Sequence, residues 1–121
     1  MATARERLTQ LCTSLPEVEV EVEPGGGQHL GFTVRRRRFA WFLDDHHGDG
    51  RLALNCKGAP GESTRLAEQH PDRFFVPAYL GSRGWIGLWL DTPKPDWDEV
   101  EGLVVEAYRL VAPKRLVAEL G

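Results

Sequence analysis

Residues 17–24 read EVEVEVEP, so that Val18, Val20 and Val22 alternate with Glu17, Glu19, Glu21 and Glu23. A helix would scatter those valines around its circumference, whereas a strand sets all three on one face. The segment is therefore expected to be a strand with an apolar side and an acidic side facing water. Glutamates sharing a face can also serve as paired catalytic carboxylates, but simple solvation accounts for an alternating strand without further assumption.

The next stretches supply partners for that strand. GGGQ at 25–28 is read as a flexible connection, and with no helical pattern after it the glycines do not form a dinucleotide fingerprint. Leu30, Phe32 and Val34 alternate with Gly31, Thr33 and Arg35, giving a second strand. Arg35, Arg36, Arg37 and Arg38 are expected to span a tight turn. FAWFLD at 39–44 is apolar on both sides and belongs in the middle of a sheet. DHHGDG at 45–50 turns the chain, and RLALNCK at 51–57 forms a fourth strand with Leu52, Leu54 and Cys56 on one side. After a short helix within residues 58–71, RFFVPAYL at 73–80 is extended, with Pro77 confining it to an edge or loop. GWIGLWLD at 84–91 is the last strand, with Ile86, Leu88 and Leu90 on one face and Trp85 and Trp89 on the other.

Two longer helices frame this run. Leu8, Leu11, Cys12 and Leu15 recur at helical spacing over residues 3–14, and Pro16 ends the pattern. Asp96 is placed to cap a final helix, with Glu99 three residues on as the second half of a capping box. Its predicted buried stripe is Trp97, Val100, Leu103, Val104, Ala107, Leu110 and Val111, up to a break at Pro113. The order implies one α+β domain over residues 1–121, an antiparallel sheet with helices packed on it. The N-terminus MATARERLTQLC lacks the apolar core of a signal peptide, and no run approaches the roughly 20 apolar residues of a membrane span. A cytoplasmic protein is expected. The cysteines, Cys12 and Cys56, form no CxxC pair and read as small buried thiols.

Little in the chain resembles catalytic machinery. An EF-hand loop started at Asp45 would need Glu where Cys56 stands, and one started at Asp44 finds Asn55 there. GxSxG and a Walker loop are both missing. KGAPGES at 57–63 leads glycines into a helix start, where anions can bind, but without the Lys-Ser/Thr ending of a P-loop. Neither a cofactor nor a metal is expected, and the reading is non-enzymatic. Net charge is −3, so nucleic-acid binding would have to come from a local basic patch. Arg35, Arg36, Arg37, Arg38, Lys57 and Arg83 make such a patch if their turns point the same way.

LPEVE at 15–19, RFAWF at 38–42, LNCK at 54–57, AYLGSRGWIGLWLD at 78–91 and AYRLVAPKRL at 107–116 together resemble the MmcQ/YjbR-like family of small bacterial proteins. The resemblance runs from the first helix to about Val111. Family members commonly carry a tyrosine or histidine, a leucine, a basic residue and a tryptophan leading an apolar strand, which fall here on Tyr79, Leu80, Arg83 and Trp85. Many have Asn and His around the basic residue, where this chain has Gly81 and Gly84. The resemblance implies a two-layer, frataxin-like architecture, described in the family as a double-wing DNA-binding fold. It thus implies a DNA-binding or regulatory module that contacts phosphates through the arginine-bearing turns. The alternative is a small-molecule-binding or sequestering protein with a resistance or accessory role. Trp41, Tyr79, Trp85 and Trp89 would then line a cleft for a planar aromatic ligand, with Trp97 as a further candidate.

Overall fold

The computed structural model describes residues 2–22, 28–45 and 48–120. In chain order they form α1 (Ala4–Thr13), β1 (Val18–Val22), β2 (Leu30–Val34), β3 (Arg37–Asp44), β4 (Leu52–Cys56), α2 (Glu62–Gln69), β5 (Phe74–Phe75), β6 (Ile86–Trp89), α3 (Trp97–Val111) and α4 (Lys114–Ala118). The strands make one sheet in the order β1-β2-β3-β4-β6-β5, and every neighbouring pair is antiparallel. This is the α+β architecture expected from the sequence. β3 lies inside the sheet, and the two-residue β5 forms one edge just before Pro77.

Helices α1 and α3 cover one face. Leu8 and Cys12 from α1 meet Val100, Val104, Ala107 and Tyr108 from α3 over Phe32, Phe42, Leu54, Cys56, Ile86 and Leu88 of the sheet. Burial pushes the Cys56 thiol up to about 12 and raises Cys12 as well, so both are inert apolar packing, as expected. Phe39 and Tyr108 meet edge to face with centroids 5.6 Å apart, and the Tyr108 hydroxyl donates to the Pro16 carbonyl at 2.7 Å. That bond ties α3 to the entrance of β1.

Local signals set the helix starts. Thr3 Oγ1 accepts from the Glu6 N–H, and Glu6 Oε1 accepts from the Thr3 N–H, both at 3.1 Å, a complete capping box. Asp96 accepts from the N–H groups of Asp98 and Glu99. The expected second half of that box does not form. The Glu99 carboxylate instead takes Arg73 in two bonds of 3.0 Å, fastening α3 to the segment leading into β5.

Three other expectations are corrected. The stripe of α3 includes Tyr108, fully buried, in place of Leu110, which is 45% exposed because the helical period turns it away from the face shared by Val100, Val104 and Ala107. The valine side of β1, an edge strand, is only partly covered, with Val22 64% exposed. The four arginines do not all lie in the turn. Arg35 and Arg36 alone form it, with φ of 50° and 66°, and Arg37 already pairs with Val34. Two left-handed residues in a two-residue hairpin match a type I′ turn, which twists with the strands but favours Asn-Gly over branched or long side chains.

Candidate ligand cleft and basic sheet end

Among the described residues no helix lies on the second face of the sheet, and a break in register shapes that face. Phe32 pairs with Ala40 and Thr33 with Arg38, which leaves Phe39 as an extra residue on β3. This β-bulge lets both Phe39 and Ala40 face the helices. In a regular strand Arg38 would share the side of Ala40 and Phe42. The bulge re-aims it onto the open face, where a Cβ on Gly31 would lie 2.8 Å from Arg38 Nε. A second strand glycine does similar work: a Cβ on Gly87 would lie 2.5 Å from the Phe75 ring. Both glycines let a large side chain lie flat across the backbone.

The result is a cleft of about 520 Å³ over β3, β4 and β6, roofed on one side by the 77–80 loop. Trp41 and Trp89 stand in it with Leu43, Ala53, Phe75 and Leu80. Phe75 stacks on Trp89 at 4.2 Å between centroids. Each tryptophan also carries a guanidinium: Arg38 over Trp41 at 4.0 Å and Arg51 over Trp89 at 3.9 Å. Arg38 is held by Glu21 at 2.9 Å, and Arg51 by Asp91 at 2.8 Å. Arg51, joined by the Leu52 N–H, holds the Asp91 carboxyl below its ordinary range.

Asn55 lies on the floor, opposite Trp41 in the register of β3 and β4. It is 6% exposed, and its Oδ1 has no hydrogen-bond partner among the described residues. Arg38 Nε, also in this cleft, is likewise shielded and unpartnered. One unused acceptor and one unused donor therefore flank an indole ring.

The basic residues fall at one end of the sheet. β2 ends there, β3 begins there, β4 ends there and β6 begins there, since Val34 pairs with Arg37 and Cys56 with Ile86. The Lys57 N–H donates to the Phe39 carbonyl at 2.9 Å, and its Nζ donates to the Arg83 carbonyl at 2.8 Å. The turns thus share an end, but the six side chains are not equally available. Arg35 is spent in two bonds to Glu17, at 2.6 and 3.1 Å, which lowers that carboxyl. Arg38 belongs to the cleft. Arg36, Arg37 and Arg83 carry no ion pair among the described residues.

Of the predicted cleft residues, Trp41, Tyr79 and Trp89 are brought together, Tyr79 at the rim and 89% exposed. Trp85 is buried and does not line the cleft, and Trp97 packs under Arg7 at another surface. Sequence reasoning missed Phe75, Arg51 and Asn55. Asn55 left one signal, a polar amide inside an otherwise apolar strand. His46 and His47 of the predicted polar turn lie outside the described residues. Among the described residues no group of three or more His, Cys, Asp or Glu is placed to hold a metal, and no helix is long and apolar enough to cross a membrane.

A six-stranded antiparallel sheet with helices packed on one face makes this an α+β protein. The YjbR family profile matches residues 13–110, and the chain belongs to that family. Among solved structures it is similar to the Deinococcus radiodurans protein DR2400, described as a DUF419 domain. The identity is 26% and the TM-score 0.72, over 100% of this chain and 89% of that one. No curated protein matches the chain.

Proposed function

We propose that this YjbR-family protein is a non-catalytic binding module whose open sheet face holds a planar small molecule. The observation that carries the reading is the unpartnered Asn55 Oδ1 on the floor of an aromatic cleft. A buried amide oxygen without a partner costs about 1–3 kcal/mol, a cost that a ligand N–H would remove. A flat ring edge offering a donor to Asn55 and an acceptor to Arg38 fits that pair. Trp41, Phe75 and Trp89 supply the apolar contact. Asn55 lies on the cleft floor, so a ring seated against Trp41 and Trp89 would stand over its amide.

A screen of planar heteroaromatic lactams and aromatic carboxylates, read by tryptophan fluorescence, tests this. Quenching that is lost in Asn55→Val and Trp89→Ala is expected. A panel that binds equally well to both variants would place the ligand elsewhere.

A second reading rests on the shared end of the basic turns. Arg36, Arg37 and Arg83, free of ion pairs among the described residues, would contact phosphates of a DNA duplex, as the family's double-wing description implies. Its mark is affinity that falls with salt, with a logarithmic slope near −0.9 per phosphate neutralised. Binding that is insensitive to salt or to Arg36→Ala/Arg83→Ala would remove it.

A further inference from the structure

A groove apart from the open-face cleft lies where the 57–64 segment meets the 81–84 turn. It has a volume of about 480 Å³ and is lined by Lys57, Ser63, Thr64, Ser82 and Arg83. The two segments approach closely because both carry glycine at the crossing. A Cβ on Gly58 would lie 2.8 Å from the Gly84 carbonyl oxygen, and a Cβ on Gly84, at φ +86°, would lie 2.9 Å from the Gly58 oxygen. Helix α2 begins in this groove behind Gly61, which offers no side-chain cap. The first-turn N–H groups of Ser63 and Thr64 therefore lack intrahelical partners. Ser63 is 3% exposed, and its hydroxyl has no hydrogen-bond partner among the described residues.

We infer that this groove is a binding site for a phosphate group. The Ser63 hydroxyl, the open turn of α2, the Lys57 ammonium and the Arg83 guanidinium supply donors from several directions, which suits a tetrahedral anion. Lys57 spends one of its three N–H bonds on the Arg83 carbonyl and has two left to offer. That bond also fixes the turn that carries Arg83. Glu62, the acid at the helix start, is paired with Arg65 and so does not cancel the two cations. Ser63 explains why the groove is more than a helix end. A buried hydroxyl with no acceptor or donor is unfavourable, and an anion seated in the groove would satisfy it.

The phosphate has two possible sources, a free phosphorylated molecule or a nucleic-acid backbone. The test begins with inorganic phosphate at about 20 mM against chloride of equal ionic strength, read by amide NMR shifts and thermal midpoint. Shifts confined to Gly58, Ser63, Thr64 and Gly84 are expected, with a midpoint raised by a few degrees. Lys57→Gln and Arg83→Ala should each weaken phosphate about tenfold or more. Ser63→Ala should fold with an unchanged or higher midpoint and still lose several-fold affinity, a split that a purely structural serine would not show. No phosphate-specific shift, or shifts that survive all three variants, would overturn the proposal. Duplex DNA that displaces phosphate from these amides assigns the site to a nucleic-acid backbone. Phosphate binding that duplex leaves untouched assigns it to a free phosphorylated ligand.

Discussion

Replacing Asn55 with valine separates a residue kept for binding from one kept for folding. Asn55 lies mid-strand in β4, 6% exposed, with its Oδ1 unpartnered. Its place in the β3–β4 ladder depends on backbone bonds that valine keeps. Relieving an unsatisfied buried oxygen returns about 1–3 kcal/mol, and valine adds the branched shape that strands favour. The larger side chain projects toward a cleft with room for it, so overpacking subtracts little. A net gain of about 1 kcal/mol follows, equivalent to a rise in thermal midpoint of roughly 3–5 °C for a domain of this size. Urea denaturation of the wild type and Asn55→Val, followed by tryptophan fluorescence, measures it. A loss of more than about 1 kcal/mol would show that the amide is satisfied in the folded protein and would refute the reasoning.

Arg36→Gly should stabilise the chain by about 1 kcal/mol, because Arg36 occupies φ 66° in a turn that glycine adopts freely; denaturant midpoints check it. Gly84→Ala should do the reverse, losing at least 1–2 kcal/mol, roughly, since the new Cβ meets the Gly58 oxygen at a left-handed φ. The Asp91 carboxyl is held below its ordinary 3.8 by Arg51, so the unfolded chain binds the proton more readily. Its stabilising contribution is present above that ordinary value and is lost as pH falls through the lower folded one. Wild type should therefore lose more stability than Asp91→Asn between about pH 5 and pH 3, and equal losses would assign the acid sensitivity to other carboxyls.

Period and punctuation made much of the fold legible. EVEVEVE, LGFTV and RLALNC announced strands through alternation, and Pro77 marked the β5 edge. Thr3 and Asp96 lie at the helix starts that the sequence placed near them. The bulge at Phe39 was not legible, because it arises from pairing with β2 and not from any preference of RFAWF itself. That one extra residue decides where Arg38 points, and so turns a presumed turn arginine into part of the cleft. Phe75 and Arg51 were missed for a related reason. They reach Trp89 across strands distant in sequence, and only the glycine at position 87 hinted that something lies over β6. The fate of Glu99 shows the same limit: a local capping pattern lost its second half to a long-range partner, Arg73.

The chain's four tryptophans allow the most direct test of the open-face cleft, because Trp41 and Trp89 line it while Trp85 and Trp97 do not. Their indole N–H signals can be followed in a 15N-labelled sample during titration with the planar lactam or carboxylate that quenches fluorescence most strongly. The account predicts that the Trp41 and Trp89 signals shift together and saturate while those of Trp85 and Trp97 stay in place. Shifts at Trp97, or at none of the four, would contradict it.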